Sequence, residues 1–369
     1  MNRLRIKPVS LAALAAGLAL LAAPYGADAK AIFVNNGESI QDAVDSAPAG
    51  GTVIVRAGTY METHGNAAAV RITKPLKLIA KVKKGEQALL VPGPGNTEGI
   101  MIDGTAQARI QKVMIKGFTI MGFEENGIWP RYAEKFKVMN NTVGDSNHVG
   151  IYPYLAVNGL VKNNVAFGGM DAALWVAGSE GIRVIRNEVY GAPTGLEVTT
   201  SKDVKFVKNL SHSNSIGLGL YHENQTASDD EDGLPEQGMT GTFIANTIRD
   251  NNMPNPVTSG SVADIPPGLG ILVFSDGSTF KKNVVTGNGF AGIALVNYAL
   301  AVEWGAANPK PDNNRVIKNT FLGNGLNPPD HPFAPVANDV AVIDAGEGNC
   351  ASGNIQGTGP LLSVQFPPC

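Results

Sequence analysis

The sequence is poor in the residues that build metal centres and nucleic-acid-binding surfaces. Of its 369 residues only two are cysteine and five are histidine, and the histidines form no close pair. No Cys/His spacing typical of zinc sites occurs, and no methionine-rich stretch suggests copper ligation. Lysines and arginines are scattered along a chain of net charge -3. Nucleic acid is therefore excluded as an expected partner.

Long apolar runs are missing except near the N-terminus. Three basic residues among the first seven precede the Ala/Leu-rich run Val9–Ala23, and Ala27-Asp28-Ala29 offers a cleavage site. This pattern predicts a secretory signal peptide at residues 1–29, because the run is too short and wrongly flanked to span a membrane. We expect residues 30–369 to form one domain, periplasmic or secreted, monomeric and without an integral membrane segment.

The two cysteines lie at the extreme C-terminus, at Cys350 and Cys369. In an exported protein such a pair is expected to form a disulfide. Closing a loop of this size contributes about 3 kcal/mol in the chain-entropy model. We interpret the bridge as a structural tie for the C-terminal tail.

The chain is rich in two repeated signals that keep a common period. An asparagine recurs at gaps of 22 or 23 residues and then of 36 or 37 residues, at Asn141, Asn164, Asn187, Asn209, Asn246, Asn283 and Asn319. A small residue followed by an aliphatic one recurs with it, at Gly127-Ile128, Gly150-Ile151, Ala173-Leu174, Gly195-Leu196, Gly217-Leu218, Gly270-Ile271 and Gly292-Ile293. Periods of this size indicate stacked structural repeats.

The repeats contain short runs in which every second residue is apolar, such as Ile182–Asn187. This is strand periodicity, so the sequence predicts an all-β, single-stranded parallel β-helix. The repeated asparagines are expected to form a hydrogen-bonded turn ladder rather than to bind a ligand. Apolar residues two positions later should fill the core, namely Val143, Val189, Ile248, Val285 and Phe321. A short amphipathic helix between Ser39 and Pro48 is predicted to cap the N-terminal end.

The N-terminal region of the predicted domain carries a resemblance to a known superfamily. Ile40-Gln-Asp-Ala-Val, the run from Pro48 to Tyr60, and Ile72-Thr-Lys-Pro-Leu-Lys-Leu resemble the opening of exported right-handed parallel β-helix proteins. The superfamily includes pectate lyases, alginate lyases and epimerases, and periplasmic copper-maturation accessory proteins. The resemblance implies a right-handed coil. The chain has no Asp-Pro-His-Asp motif, expected of an alginate C5-epimerase, and no arginine-rich pectate-lyase signature.

Aligning the repeats places large aromatic residues side by side on one outer face. The first outward column includes Trp129, Tyr152, Trp175 and Glu197, and the second includes Arg131, Tyr154, Tyr221 and Phe274. Rigid aromatic surfaces bind sugar rings, so Trp129, Tyr152, Tyr154, Trp175 and Phe274 are the predicted substrate-binding residues. The alternative is that the chain's own loops cover these rings.

Three insertions widen the repeats, near Glu223–Met239, Met253–Pro267 and Asn297–Asp312. Insertions in repeat proteins form loops that often lie on the binding side. We expect them to wall the aromatic face and to turn it into a groove.

Ionisable residues around this face are the candidates for catalysis: His148, Asp171, Glu197, Arg131, Tyr221 and His222. A lyase or epimerase acting on uronic acids needs a cation for the carboxylate and a base for the C5 proton. Arg131 suits the first role, and His148, Tyr221 or His222 the second. Asp171 and Glu197, one coil apart, instead suit the paired carboxylates of a glycoside hydrolase.

An acidic run from Ser228 to Asp232 superficially resembles a calcium loop. Its spacing excludes an EF-hand, because the twelfth position is Met239 and not glutamate. Asp229, Asp230 and Asp232 remain weak candidates for Ca²⁺; no cofactor is required by the sequence.

The sequence thus predicts an exported β-helix that binds an extended polysaccharide in a lateral aromatic groove. Lyase or epimerase activity on a uronic-acid polymer is the leading possibility for chemistry. The alternative is a non-catalytic periplasmic or envelope accessory protein whose groove holds a protein partner. A copper-handling accessory is a third, weaker alternative.

Overall fold

The chain folds as a solenoid of short parallel strands, as predicted. A computed structural model describes residues 30–221, 240–258, 263–301 and 310–369. The described strands form three long sheets that run along the solenoid, and each coil contributes one strand to each sheet over most of its length. Pairing between successive coils is parallel, for example between Arg183–Ile185 and Lys205–Val207. The prediction of an all-β parallel β-helix is confirmed.

The three sheets are named A, B and C, and their strands follow in stacking order. Sheet A contains Ile32–Val34, Thr52–Val55, Lys77–Ala80, Met114–Lys116, Lys137–Met139, Leu160–Lys162, Arg183–Ile185, Val204–Val207, Gly241–Ile244, Thr279–Lys281, Arg315–Ile317 and Cys350–Ser352. Sheet B contains Gly58–Met61, Ala88–Val91, Thr119–Met121, Thr142–Gly144, Val165–Phe167, Glu188–Tyr190, Leu210–His212, Thr247–Arg249, Val284–Thr286, Thr320–Leu322 and Ile355–Gln356. Sheet C contains Ala68–Ile72, Glu98–Asp103, Ile128–Arg131, Val149–Ile151, Ala172–Ala177, Thr194–Thr199, Ile216–Tyr221, Leu269–Val273, Ala291–Val296 and Asn338–Ile343. A small sheet pairs Ile110–Gln111 with Ala133–Glu134.

The inward residues of all three sheets build one core along the solenoid axis. The predicted core residues Val143, Val189, Ile248, Val285 and Phe321 are all fully buried. Because alternate residues of a strand face opposite sides, a single apolar column per sheet is enough to fill this core. Identical positions in successive coils stack, as the rings of Phe243 and Phe280 do at 5.2 Å.

The repeated asparagines form the predicted ladder. The side-chain oxygen of Asn187 accepts hydrogen bonds from the backbone N–H and the amide of Asn164, both at 2.9 Å. The amide of Asn187 donates to the oxygen of Asn209 in the next coil. The same pattern continues to Asn319 and then to Asn354, which the sequence had not indicated. A second ladder that sequence reasoning missed runs through Asn214, Asn251, Asn288 and Asn324 and ends on Asp339.

The N-terminal end is closed by the predicted capping helix, which spans Ile40–Ser46. Its N-cap Ser39 accepts a hydrogen bond from the N–H of Asp42. The side chain of Gln41 pairs with both the N–H and the carbonyl of Arg71 in the first strand of sheet C. The backbone N–H and carbonyl of one residue in the edge strand Ala68–Ile72 are thereby paired.

At the C-terminal end the predicted disulfide joins Cys350 to Cys369. The bridge holds the tail along the last strand of sheet A, where the N–H of Ala351 donates to the carbonyl of Pro367. The remaining described helices are short, at Tyr298–Ala301, Ala334–Val336 and Leu362–Gln365. No helix among the described residues is long and apolar enough to cross a membrane.

Candidate functional site

The outer face of sheet C carries the candidate site, and its register follows the repeat alignment. Ile128 pairs with Ile151, and Ile151 pairs with Leu174. Trp175 pairs directly with Glu197. Trp129, Tyr152, Trp175 and Glu197 therefore occupy equivalent outward positions on four successive coils.

Four aromatic side chains on this face form one cluster, which we call the aromatic face: Trp129, Tyr152, Tyr154 and Trp175. The rings of Tyr152 and Trp175 are stacked, with centroids 4.7 Å apart. Trp129 lies nearly parallel to Tyr152 at 6.4 Å, and Tyr154 lies 5.3 Å from Tyr152 at a tilt. Tyr152 is buried, whereas the two tryptophans and Tyr154 are partly exposed. The sequence therefore predicted that these rings lie together on one outer face, but not their mutual stacking.

The indole N–H groups of Trp175 and Trp129 differ in their hydrogen bonding. The N–H of Trp175 donates to the hydroxyl of Thr199 at 2.8 Å. The N–H of Trp129 is buried and has no hydrogen-bond partner among the described residues. A buried N–H without a hydrogen-bond partner costs stability, and this cost distinguishes the indole of Trp129 from that of Trp175.

The C-terminal half of the same face lies under the protein's own residues. Phe274 and Tyr221 are each 3% exposed and belong to a second apolar cluster. Ile265, from the second insertion, is buried in this cluster, and Phe333 packs against it. A cavity of only about 30 Å³ remains among these side chains. Phe274 is thus covered by the chain's own segments, which was the alternative to substrate binding. The aromatic face, in contrast, keeps partly exposed rings.

His148 lies at the edge of the aromatic face, in the turn that leads into sheet C. Its ring meets Tyr152 and Trp175 edge-on, at centroid distances of 5.8 and 6.1 Å. Nε2 lies 3.4 Å from a carboxylate oxygen of Asp171, and Nδ1 lies 3.9 Å from Glu125. Glu125, His148 and Asp171, each two residues before a small–aliphatic pair of the repeat, are therefore brought together in space.

The electrostatic surroundings favour the charged form of His148. Burial alone would lower the pKa of His148, but the hydrogen bond and charge of Asp171 outweigh it, aided by the charges of Glu125 and Glu98. The net result is a raised pKa for His148. The carboxylates around the ring thus favour the imidazolium form of His148.

Two residues that the sequence reasoning missed complete this cluster. Glu98 is buried and accepts hydrogen bonds from the backbone N–H of Asn126 at 3.0 Å and from its amide at 3.3 Å. The amide oxygen of Asn126 lies 3.1 Å from Nδ1 of His148. Burial raises the pKa of Glu98 to about 7, against the opposing effect of the Asn126 hydrogen bonds. Both residues directly precede a Gly–Ile pair, which is the signal that could have found them.

Arg131 lies at the opposite edge of the aromatic face. Its guanidinium lies 5.4 Å from the ring centroid of Trp129, within the range of a cation–π contact. It is also 3.9 Å from Asp103, whose other oxygen contacts Arg71 at 2.5 Å. Two guanidinium groups thus share one carboxylate, and this edge carries a net positive charge.

Not all of the remaining predicted residues contact the cluster around His148. Asp171 contacts His148, whereas Glu197 is buried beside Trp175 on the next coil. His222, Asp229, Asp230 and Asp232 lie outside the described residues. Within the part of the chain that the structure describes, no group of three or more His, Cys, Asp or Glu side chains is arranged to hold a metal ion.

Comparison with known proteins agrees with this architecture. The family model of the right handed beta helix region matches residues 98–232. The A-module of the mannuronan C-5 epimerase AlgE6 from Azotobacter vinelandii superposes with a TM-score of 0.59 at 15% identity, over 87% of this chain and 95% of that one. The Dettilon tailspike protein superposes with a TM-score of 0.54 at 13% identity, over 87% and 66% of the two chains. A rhamnogalacturonan lyase superposes with a TM-score of 0.52 at 13% identity, over 92% and 90%.

These similarities establish the class of the protein: it is a right-handed parallel β-helix. The handedness implied by the N-terminal resemblance is thereby confirmed. At such low identity the likeness shows the fold alone. No curated protein matches the chain, so its function has to be argued from the site.

Proposed function

We propose that this protein binds an extended polysaccharide along the outer face of sheet C, across the aromatic face. The observation that carries the proposal is the set of aromatic rings on adjacent coils, bordered by His148 at one edge and Arg131 at the other. Aromatic rings contact the apolar surfaces of sugars, and polar groups at the rim fix their orientation. A linear polymer suits this site because the rings follow the solenoid axis.

The charges at the two edges favour a uronic-acid polymer and lyase or epimerase chemistry. Arg131 and Arg71 share Asp103, which leaves positive charge for a sugar carboxylate near Trp129. His148 is the group best suited to take the C5 proton, because its ring contacts the aromatic face and imidazole is the side chain most often used as a general base. Loss of that proton with cleavage of the C4–O4 bond forms a C4=C5 double bond at one new chain end, and O4 takes a proton from water and leaves as the hydroxyl of the other chain. Return of a proton to the opposite face of C5 would instead give the epimer.

Binding is tested by retention of the exported chain on a panel of alginate, pectate and neutral polysaccharides. We expect Trp175→Ala to weaken retention on the preferred polymer about tenfold or more. Phe167→Ala is the matched control, since Phe167 is a partly exposed ring stacked on Tyr190 in sheet B. Equal retention of the two variants, or no retention on any polymer, would contradict the proposal.

Chemistry is tested on the retained polymer. Lyase activity produces unsaturated ends that absorb in the ultraviolet, and epimerase activity changes the ratio of C5 epimers seen by proton NMR. Binding without either product would favour the non-catalytic accessory role.

A further inference from the structure

The contacts around Asn126 determine which way its amide faces. Glu98 uses both carboxylate oxygens to accept hydrogen bonds from Asn126, one from the backbone N–H and one from the side-chain amide. Only the NH₂ group of that amide can donate to a carboxylate. The amide oxygen of Asn126 is thereby turned toward Nδ1 of His148, at 3.1 Å.

This orientation constrains the proton on His148. An amide oxygen can only accept, so Nδ1 must carry a hydrogen for the contact to be a hydrogen bond. The Nε2–H form of neutral His148 would set two lone pairs against each other in a buried place, because Asn126 is 3% exposed and Glu98 is 7% exposed. The Nδ1–H form instead directs the lone pair of Nε2 at Asp171, whose side chain is 30% exposed and can be screened by water. The contact between Nδ1 and the buried Asn126 amide should therefore determine the tautomer, because an unfavourable contact costs more there than beside the partly exposed Asp171.

The groups that face His148 from its surroundings are consistent with this arrangement. Glu125 and Asp171 come from the preceding and following coils, and Glu98 acts through Asn126. The rings of Tyr152 and Trp175 also contact His148, each nearly perpendicular to the imidazole. The polar groups that face the ring, namely Glu125, Asp171 and the amide oxygen of Asn126, are thus all hydrogen-bond acceptors.

We propose that Glu98 and Asn126 are positioning residues that lock His148 in its Nδ1-protonated form, so that Nε2 alone exchanges a proton beside the aromatic face. One part of the inference rests on the proposed function, namely that His148 exchanges its proton with a sugar. The tautomer itself is a property of the free protein. It is measured without any ligand.

The test is nitrogen-15 NMR of histidine-labelled protein, with His148→Gln used to assign the signal. It is recorded above the pKa of His148 and above the pKa of about 7 of Glu98, so that Glu98 is a carboxylate. We expect a protonated Nδ1 and an unprotonated Nε2 in the native protein. A predominant Nε2–H form in the native protein would overturn the inference, even if no variant could be prepared.

Glu98→Gln supplies the sharper comparison. The glutamine carboxamide has one acceptor oxygen, which keeps the bond to the backbone N–H of Asn126. Its NH₂ group then faces the Asn126 side chain. The Asn126 amide should then rotate and donate to Nδ1, which shifts His148 to mainly Nε2–H. The matched control is Glu125→Gln, which removes a charge near the same nitrogen but leaves Asn126 bound to Glu98. The inference fails if Glu98→Gln leaves the tautomer unchanged or if Glu125→Gln changes it equally.

A second readout separates this inference from the proposed function. If the protein proves to be a lyase or epimerase, Glu98→Gln should lower kcat and move its pH profile, with KM for the polymer little changed. If the native protein has the Nδ1–H tautomer but is retained on no polysaccharide of the panel, the proposed function is refuted and the positioning role stays intact. A purely structural role for Glu98 predicts loss of stability with an unaltered tautomer, which would overturn the inference.

Discussion

The rings of Tyr152 and Trp175 lie on adjacent coils with their centroids 4.7 Å apart and their planes inclined by 21°. Each ring therefore covers part of the other. A bound sugar would contact the ring edges and the outer surfaces of the two tryptophans more than the face of Tyr152. The stack also stiffens the aromatic face, since moving one ring exposes its neighbour.

Tyr152→Leu should separate the stacking contribution from simple burial. Leucine keeps an apolar side chain on the outer face but removes the ring contact, so we expect a loss of about 1 kcal/mol in the free energy of unfolding. Tyr190→Leu is the control, because Tyr190 is stacked between Phe167 and His212 on sheet B. Chemical denaturation should show similar losses for both variants. Only Tyr152→Leu should weaken polysaccharide retention, and equal weakening would count against the aromatic face as the binding site.

Asn187→Ala tests the interior ladder. The change leaves the N–H and amide of Asn164 without their acceptor and the carbonyl of Val161 without its donor. Because all three groups are buried, we expect a loss of about 3 kcal/mol or more in the free energy of unfolding. Asn66→Ala, at an exposed position, should stay within about 0.5 kcal/mol. A change at Asn187 as small as that at Asn66 would show that the ladder contributes little stability.

Most of the fold could be predicted from the repeat period, because the constraints that shape each coil are local. Alternation within a strand decides which residues face inward, and a coil that stacks on an identical coil brings equivalent asparagines together. The core position of Phe321 and the ladder bond from Asn164 to Asn187 follow from that rule. The capping helix could be predicted for the same reason, since its regularly spaced apolar residues and its N-cap Ser39 lie within one short segment.

The parts of the site that the sequence did not reveal depend on irregular spacing and distant segments. Glu98 and Asn126 are 28 residues apart, which falls outside the period of 22 or 23 residues that aligned the other coils. The cover over Phe274 comes from Ile265 and Phe333, which are brought together only by the packing of separate loops. No local pattern marks such a contact. The stacking of Tyr152 on Trp175 likewise depends on side-chain rotation, which the register alone does not determine.

Removing the disulfide should loosen only the C-terminal end. In the chain-entropy model a bridge between residues separated by 19 positions contributes about 3 kcal/mol. In a double Cys350→Ser, Cys369→Ser variant we expect faster hydrogen exchange at the N–H of Ala351, which bonds to Pro367. The N–H of Arg183, bonded to Gly159 in the middle of the solenoid, is the internal control. Equal acceleration at both sites would mean that the bridge stabilises the whole solenoid and not its end.

Glu98 should give the protein a specific pH dependence of stability. Its folded pKa is raised from 4.5 to about 7, so between these values the folded state holds a proton that the unfolded state has lost. Stability must then fall as the pH rises through this range, by about 3 kcal/mol when the group is fully ionised. The raised pKa of His148 acts in the same direction, since a histidine that is more basic when folded stabilises below its folded pKa. Glu98→Gln removes the first contribution and weakens the second, because the charge of Glu98 helps to raise the pKa of His148. Denaturation of both proteins from pH 4 to pH 9 should therefore show a difference that grows in favour of the variant as the pH rises. A constant difference would mean that Glu98 ionises at its ordinary pKa, and that burial does not penalise its charge.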